Sequence, residues 1–212
     1  MLAWLALVVS LLALALAALA LFRGRAFAFA PEILAGDVIL PRSSTAGGVK
    51  FLLPLQFANA GYAGGVVHWI ALRLTVDGNI AGSVLLSPVA EVDMQHFLRA
   101  KRRLEPDNVE PFGSFALEGK RALAKFVLFE PADRRSAPSL KLRPGRYGFE
   151  VFYKAGVMRE PRLGPVFEHT IEQRSIEQYE ADETVYLINY GITLPSVRRE
   201  LAGLEWLPRG RG

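Results

Sequence analysis

The chain has 212 residues, of which 51% are hydrophobic, with a formal net charge of +4 and a sequence pI near 9.5. It contains no cysteine, which excludes disulfides, thiolate metal sites and a cysteine nucleophile. The positive balance is compatible with an anionic membrane surface, but it is too mild to indicate nucleic-acid binding by itself. The length suits one domain of ordinary size behind an N-terminal anchor.

The first 22 residues contain no charged side chain, and Ser10 is their only polar residue. A helix of this length extends about 33 Å, which exceeds the bilayer hydrocarbon core of about 30 Å. The pattern predicts a transmembrane helix over residues 1–22, with Trp4 and Phe22 near the two interfaces. A linker is predicted over residues 23–36.

A cleaved signal peptide is the alternative interpretation of the same segment, with an A-x-A cleavage site at residues 28–30. The segment begins without Lys or Arg, Arg23 and Arg25 interrupt the approach to the site, and Pro31 would follow the cut. The sequence therefore favours a retained anchor.

Basic residues follow the predicted anchor and none precedes it, since Arg23, Arg25, Arg42 and Lys50 all lie on its C-terminal side. The positive-inside rule then places the following domain in the cytoplasm of a single-pass cell-membrane protein. A periplasmic domain is the alternative, because β-sandwich modules on a single anchor often face that side.

Residues 37–173 carry the alternating apolar pattern of short β-strands separated by turn residues. The clearest strand is 49–57, where every second residue is apolar and Pro54 predicts an edge or a bulge. Asp77-Gly78, between two alternating runs, is the strongest hairpin signal in the chain. About seven or eight such strands are typical of an antiparallel β-sandwich.

One segment departs from the strand pattern. Ser87 is a favourable N-cap and Pro88 a favourable first helical residue, and the residues after them place apolar side chains at helical spacing. Glu105-Pro106 would end the helix. The sequence therefore predicts one helix over residues 88–104, inserted into the sandwich.

The stretch from Phe51 to Gly61, followed by the run from Val66 to Gly78, resembles the strand, N-x-G, strand, D-G rhythm of bacterial immunoglobulin-like adhesion modules. The segment from Leu142 to Val151 looks like the turn that opens the penultimate strand of such sandwiches, with Tyr147 at the tyrosine-corner position. The resemblance covers about 120 residues and implies an immunoglobulin-like β-sandwich. It implies no activity, because this fold hosts many unrelated functions.

Residues 174–212 form a C-terminal extension with weaker patterning. An extra strand is predicted at 184–188 and a helical turn at 197–201, whereas residues 208–212 are expected to be disordered. The predicted sandwich domain therefore ends at Gln173.

The three histidines, His68, His96 and His169, have no partners at metal-ligand spacing, and the chain carries none of the common catalytic or phosphate-binding motifs. His68 and His169 fall on predicted strands and are interpreted as partly buried structural residues. His96 is predicted to be solvated. No metal site and no cofactor are expected.

Carboxylates near the last predicted strand would form an acid–base pair only if a pocket held two of them apart with shifted pKa values. Glu168 and Glu172 share the outward face of that strand, which is also the pattern of a solvated face. The other members of this set are Glu177, Asp182 and Glu183. A membrane-anchored hydrolase that uses such carboxylates and His169 is the alternative function.

The densest basic run covers residues 99–103, with Arg99, Lys101, Arg102 and Arg103. A structural explanation exists, because cations stabilise the C-terminus of a helix. The functional hypothesis is contact with anionic lipid head groups, at about 1 kcal/mol for each basic residue near the surface. Nucleic acid is not expected as a partner, because no recognition module accompanies the run.

The sequence favours a non-enzymatic, membrane-tethered binding or scaffolding module, with an accessory subunit of a membrane protein assembly as one form of it. The expected partners are membrane lipid and a protein that the sequence does not identify. This interpretation depends on the predicted anchor, the strand pattern and the lack of catalytic motifs in the sequence.

Overall fold

The computed structural model describes residues 2–26, 28–42, 48–132 and 140–187. Within these ranges the chain is mainly β, with a few helices. The helices are α1 (Leu2–Ala26), α2 (Met94–Arg99) and α3 (Gln173–Glu180), and a 3-10 turn covers Pro106–Asn108. The strands are β1 (Pro31–Ala35), β2 (Val38–Leu40), β3 (Phe51–Asn59), β4 (Gly65–Val76), β5 (Asn79–Val92), β6 (Val109–Pro111), β7 (Phe115–Leu117), β8 (Ala122–Pro131), β9 (Gly145–Ala155), β10 (Arg162–Ile171) and β11 (Val185–Leu187).

All the described strands belong to one antiparallel sheet that curls into a nearly closed barrel. Eight of them follow one another around the wall in the order β10-β9-β4-β5-β8-β3-β2-β11, while β1 pairs with β3, β6 with β5 and β7 with β4. The terminal strands β10 and β11 approach each other, and β1 also lies beside β10. The predicted immunoglobulin-like sandwich is therefore wrong, because a sandwich consists of two separate sheets and here one hydrogen-bonded ladder links every described strand.

The barrel interior is filled by apolar side chains that alternate with outward-facing residues along each strand. β9 shows this most clearly, with Tyr147, Phe149, Val151 and Tyr153 buried and their neighbours only partly so. The Phe149 ring packs edge-on against Phe51 of β3, at 5.6 Å between ring centroids. Since burying one such side chain stabilises a fold by roughly 1.5–3 kcal/mol, the barrel interior is the main source of stability.

Tyr147 is the structural tyrosine that the sequence predicts. Its ring is fully buried, and its hydroxyl donates to the Arg143 carbonyl at 2.9 Å and accepts from the Arg143 N–H at 3.0 Å. The buried phenol therefore has the partners that a buried hydroxyl requires. These bonds fix the turn through which the chain enters β9.

Pro54 lies in the middle of β3, where the neighbouring strand on one side changes. β1 pairs with the second half of β3, and β2 pairs with its start, where Ile39 lies opposite Leu52. The chain turns between β1 and β2, and the Gly36 N–H donates to the Pro54 carbonyl at 2.8 Å. The predicted edge or bulge is therefore wrong, because β3 has partners on both sides and pairs with β8 through Pro54 without a register shift. Pro54 instead lies between the segments of β3 that pair with β1 and with β2.

The predicted hairpin at Asp77-Gly78 is confirmed. These two residues connect β4 to β5 and both have positive φ, 53° at Asp77 and 71° at Gly78. Positive φ at both central positions is the geometry of a type I′ turn, whose twist matches that of the flanking strands. Asp77 Oδ1 also accepts from the Arg146 N–H at 2.9 Å, which ties the hairpin to the start of β9.

The predicted helix over 88–104 is largely wrong, because Pro88 belongs to β5. In this part of β5, residues 86–91 pair with β8 and residues 90–92 pair with β6 on the other side, and the pairing with β8 is irregular beside Pro88. α2 is only six residues long, and its N-cap is Asp93 rather than Ser87. Strand pairing on both sides therefore overrides the local Ser-Pro helix signal.

A second, smaller apolar cluster holds α2 on the outside of the barrel wall. Phe97 of α2 is fully buried and clusters with Ile39 of β2, Leu52 of β3 and Leu128 of β8. A helix this short is not stable alone in water, so its place depends on this packing.

The first helix is longer than predicted, since α1 continues to Ala26. Among the described residues, no helix is long and apolar enough to cross a membrane. The predicted transmembrane helix over residues 1–22 is contradicted by this finding.

Two segments that the sequence leaves unpatterned are partly ordered. The predicted linker, residues 23–36, contains the end of α1 and all of β1. The predicted extension, residues 174–212, contains most of α3 and the strand β11, which confirms the strand expected at 184–188. The helical turn predicted at 197–201 and the disorder predicted at 208–212 lie outside the described residues.

Candidate functional site

The basic run forms one side of an open cleft on the barrel wall. Arg99, Lys101 and Arg103 line a depression of about 510 Å³, and Arg42, which follows β2, lines the same depression. A smaller depression of about 240 Å³ is lined by Arg42, Lys101 and Arg102, so the two adjoin. We call them together the basic cleft, and its five cationic residues are Arg42, Arg99, Lys101, Arg102 and Arg103.

A short capped helix places one side of the basic cleft. The Asp93 carboxylate accepts from the Gln95 N–H at 2.8 Å and from the His96 N–H at 3.1 Å. The His96 backbone N–H is the main reason why the pKa of Asp93 lies below its ordinary value, with a further contribution from the His96 ring. Phe97 is buried beneath the helix, and Arg99, its last residue, is exposed at the cleft.

The chain leaves α2 through a left-handed turn. Lys101 has φ 53° and Arg102 has φ 64°. The Arg102 N–H donates to the Phe97 carbonyl at 2.8 Å, and the Thr184 hydroxyl donates to the Arg102 carbonyl at 2.9 Å. Non-glycine residues rarely adopt positive φ, so two consecutive basic residues are held here in a backbone conformation that is itself unfavourable.

Asn108 fixes the loop on the other side of the same turn. Its buried side-chain amide donates to the Arg103 carbonyl at 2.8 Å, and its oxygen accepts from the Glu105 N–H at 2.9 Å. Buried polar groups with partners hold a loop in one conformation. The basic side chains therefore extend from a backbone that is fixed on both sides.

Two of the cleft cations have neighbours that partly neutralise or cover them. Arg103 Nη2 lies 3.2 Å from Asp182 Oδ2. The Arg102 guanidinium lies over the Tyr186 ring, 5.2 Å from its centroid. Both contacts are exposed enough that each contributes roughly 1 kcal/mol or less.

The other three cations make no ion pair with any residue that the structure describes: Arg42, Arg99 and Lys101. Glu105 lines the larger depression and Glu183 the smaller one. Positive side chains therefore outnumber carboxylates in the cleft, and the excess favours an anionic ligand.

The structure brings together all four residues of the predicted lipid contact, Arg99, Lys101, Arg102 and Arg103. It adds Arg42, which the sequence connects only with membrane orientation. No sequence signal joins Arg42 to the basic run, because their proximity arises from the pairing of β2 with β11 and from the docking of α2 on the wall. Contact of this run with lipid head groups stays a prediction.

The basic cleft lies at the end of the barrel opposite to the junction with α1. Ala30, which follows α1, is hydrogen-bonded to the Asn59 end of β3. Arg42 follows β2, which pairs with the beginning of β3 near Phe51. The two ends of this nine-residue strand are about 26 Å apart, at about 3.3 Å per residue.

The buried side chain of Asn59 holds the junction between α1 and β1. Its oxygen accepts from the Ala30 N–H at 3.1 Å and from the Gly61 N–H at 2.9 Å. Its amide nitrogen donates to the Ala63 carbonyl at 2.8 Å and to the Glu118 carbonyl at 3.0 Å. One buried amide therefore ties three loops at this end of the barrel together.

Phe29 packs into a notch formed by two glycines at the same end. A Cβ atom on Gly65 would lie 2.3 Å from Phe29 Cδ1, and one on Gly156 would lie 2.9 Å from the same atom. Real Cβ atoms do not approach carbon this closely, so glycine at both positions makes room for the ring. The chain after α1 is therefore fixed to the barrel rather than a free linker.

His169 lies inside the barrel, as its predicted structural role requires. It is buried, and its ring packs edge-on against Phe149 and Phe167 at centroid distances of 5.9 and 5.8 Å. Burial lowers its pKa, and the nearby Asp37 carboxylate opposes that shift. Its Nε2 has no hydrogen-bond partner in the described part of the chain.

The other two histidines lie on the surface. His68, which we predicted to be partly buried, is exposed, and its Nε2 lies 3.1 Å from the Gly156 carbonyl oxygen. His96 is exposed as predicted, with Nδ1 at 2.8 Å from Asp93 Oδ2. The three rings therefore do not converge on one site.

The predicted acid–base carboxylates are dispersed. Glu168 is next to His169 in β10, so its side chain lies on the outer face of the barrel, 3.7 Å from Arg146 Nη1. Glu177 accepts from the Gln173 side chain at 3.2 Å on α3. The other three lie at the N-cap of α3 or beside the basic cleft: Glu172, Asp182 and Glu183. The structure therefore does not assemble these groups around His169.

Within the ranges that the structure describes, no group of three or more His, Asp or Glu side chains is placed to hold a metal ion. No protein-family model matches the chain, and no curated protein shows significant similarity to it. The function is therefore inferred from the arrangement of this chain's own residues.

Proposed function

We propose that the chain is a non-enzymatic binding module that associates with lipid through the apolar side chains of α1. The observation that carries this proposal is the exposure of that helix. Large apolar side chains are half or more exposed at eight described positions: Trp4, Leu7, Val9, Leu11, Leu12, Leu14, Leu16 and Leu19. Exposed apolar surface of this extent marks a binding surface rather than ordinary solvent-facing structure.

The exposed positions are not confined to one face of α1. Leu11, Leu12, Leu14 and Leu16 lie in different directions around the axis, because each residue advances a helix by about 100°. A protein groove covers one face of a helix, whereas acyl chains cover several faces at once. The distribution therefore favours lipid as the partner of this segment.

The fixed junction between α1 and the barrel determines which end of the barrel faces bound lipid. Asn59 and the notch around Phe29 hold the chain after α1 to one barrel end. Lipid bound by α1 would therefore meet that end of the barrel, and the opposite end would face away. A module that presents one defined end to a second partner suits a binding or scaffolding role.

Flotation of the full-length chain with vesicles tests the proposal. The vesicles contain only phosphatidylcholine, so that electrostatic attraction contributes nothing. We expect the chain to float with them, and to do so equally at about 1 M salt, where the Debye length is about 3 Å.

Matched variants separate α1 from other apolar surface. Leu12→Lys combined with Leu16→Lys should abolish flotation, because each Lys within hydrocarbon is unfavourable by about 3 kcal/mol. Ile80→Lys is the control, since Ile80 is equally exposed but lies on the β4–β5 hairpin. A wild-type chain that stays with the soluble fraction, or a double variant that floats like the control, would disprove lipid association through α1.

A further inference from the structure

We propose that the basic cleft is a binding site for a phosphate-bearing anion. This inference concerns a different part of the molecule from α1 and does not depend on lipid association. Its cations come from two distant segments of the chain, Arg42 after β2 and the run that follows α2. The fold, not the sequence, makes them one site.

Helix-end electrostatics do not account for this cluster. Favourable interaction with the end of α2 explains cations such as Arg99, which ends that helix. It does not explain Arg42, which belongs to another element, or Lys101 and Arg102, which lie beyond the helix in a left-handed turn. Like charges brought together in this way repel one another. A ligand with at least two negative charges would relieve that repulsion.

The chemistry of the cleft favours phosphate among anions. The three cleft cations that make no ion pair or aromatic contact with the described part of the chain converge on the larger depression: Arg42, Arg99 and Lys101. Guanidinium groups present several N–H donors in a planar fork that matches phosphate oxygens, and a lysine adds a mobile point charge. The lining has few apolar side chains, so the cleft does not suit a hydrophobic ligand.

Hydrogen bonds hold the left-handed turn that carries Lys101. Lys101 lines both depressions, and its left-handed backbone is held by the bonds from Arg102 N–H to Phe97 and from Thr184 to Arg102. Backbone conformations of this kind persist only where surrounding contacts enforce them, and they are frequent at binding sites. The turn therefore fixes Lys101 at the point where the two depressions meet.

The position of the cleft favours a free ligand over the lipid proposed for α1. About 26 Å of β3 separates the α1 junction from the cleft end. The Debye length at physiological ionic strength is about 8 Å, so head groups beside the junction are largely screened from these cations. A phosphorylated ligand in solution, or on a second partner, reaches the cleft without that limit.

Calorimetric titration of the full-length chain, held in an uncharged detergent, tests the inference with inorganic pyrophosphate as the probe. We expect saturable binding with one site per chain. Arg42→Gln and Lys101→Gln should each weaken the affinity about tenfold or more, which corresponds to about 1.4 kcal/mol. Arg42→Lys keeps the charge but loses the fork, and should fall between wild type and Arg42→Gln.

Control variants place the binding in the cleft. Lys120→Gln and Arg121→Gln remove the same charge at the α1 end of the barrel and should leave pyrophosphate affinity unchanged. Thermal unfolding of every variant shows whether the fold is retained. No saturable binding by the wild type, or equal weakening in control and cleft variants, would overturn the inference, because attraction would then follow net charge alone.

A second arm distinguishes a free phosphate from a lipid head group. Short-chain phosphatidylglycerol, added as a soluble monomer, should not displace pyrophosphate if the site takes a compact multiply charged anion. Displacement would assign the same cations to a lipid head group and overturn the free-ligand inference. The flotation assay contains no anionic lipid, so it does not test the basic cleft. Lipid association through α1 and anion binding in the basic cleft can therefore be disproved separately.

Discussion

The side-chain oxygen of Asn59 accepts a hydrogen bond at 3.1 Å from the backbone N–H of Ala30, 29 positions earlier in the chain. This bond joins the segment after α1 to the end of β3. The same buried amide makes three further bonds to the backbone of neighbouring loops. We predict that Asn59→Ala lowers the free energy of unfolding by about 2–4 kcal/mol, because it leaves several buried backbone groups without partners.

Urea denaturation measures that change, and Asn79→Ala is its matched control. Asn79 also accepts a backbone N–H, that of Gly82 at 3.2 Å, but in the exposed β4–β5 hairpin. Water replaces the lost partner there, so the control should change the free energy of unfolding by about 0.5 kcal/mol or less. Equal changes in the free energy of unfolding for the two substitutions would show that the hydrogen bonds of Asn59 do not stabilise the fold more than an exposed bond does.

The turns of this fold could be predicted from sequence, but its closure could not. Asp77-Gly78 identified the hairpin because positive φ at both positions restricts the residue types. Tyr147 identified a fixed turn before β9 because a buried phenol needs a partner. Inward and outward residues alternate in the same way in a sandwich and in a barrel, so strand number alone does not distinguish them. The difference lies in which strands pair across long separations, such as β4 with β9.

Tyr147 provides a second prediction about stability. Tyr147→Phe keeps the buried ring but removes both bonds to Arg143, and should lower the free energy of unfolding by about 1 kcal/mol. Tyr147→Ala also leaves a cavity in the barrel and should cost about 3–5 kcal/mol. Tyr186→Phe is the control, because the Tyr186 ring stays in place over Arg102. If Tyr147→Phe and Tyr186→Phe have equal denaturation midpoints, the hydroxyl of Tyr147 does not stabilise the turn.

The burial of His169 predicts how stability depends on pH. In the unfolded chain a histidine titrates near its ordinary pKa of about 6.5, whereas burial lowers the pKa of His169 in the folded barrel and Asp37 only partly opposes the shift. Between those two pKa values the unfolded chain binds more protons. The contribution of His169 to stability is therefore complete above about pH 6.5 and decreases as the pH falls below it.

Denaturation at about pH 7 and about pH 5 measures this effect. His169→Gln removes the titrating group, so the variant should lose less stability than the wild type between the two pH values. His96→Gln changes an exposed histidine and should keep the wild-type dependence. A wild-type slope that persists in His169→Gln would assign the acid sensitivity to other groups.

Only part of the basic cleft could be predicted from the sequence. The run from Arg99 to Arg103 is apparent because its members are adjacent in the chain. Arg42 and Thr184 reach the same place only because β2 and β11 pair and α2 docks across the wall. The sequence places the inserted helix six residues too early, because Ser87-Pro88 has local helix chemistry. The strand that overrides this local signal depends on partners that are distant in the chain.

Lys101 allows binding to be separated from folding. Its φ of 53° is unfavourable for a residue with a side chain and acceptable for glycine. We predict that Lys101→Gly raises the free energy of unfolding by about 0.5–1 kcal/mol, since relief of the left-handed conformation exceeds the added flexibility of the unfolded chain. The same change should weaken pyrophosphate binding about tenfold, because it removes one of the two cations, Arg42 and Lys101, that line both depressions.

Lys120→Gly is the matched control for this substitution. Lys120 has φ 55° but lies near the α1 end of the barrel, where its Nζ donates to the Ala60 carbonyl and lies over the Tyr62 ring. Backbone relief is similar there, and loss of these exposed contacts offsets part of it, so stability should change little and pyrophosphate affinity should not change. Thermal unfolding and calorimetry on the same preparations measure both quantities. A Lys101→Gly chain that is more stable and binds pyrophosphate like the wild type would remove Lys101 from the site. Greater stability with weaker binding would show that the Lys101 side chain contributes to binding at a cost in folding stability.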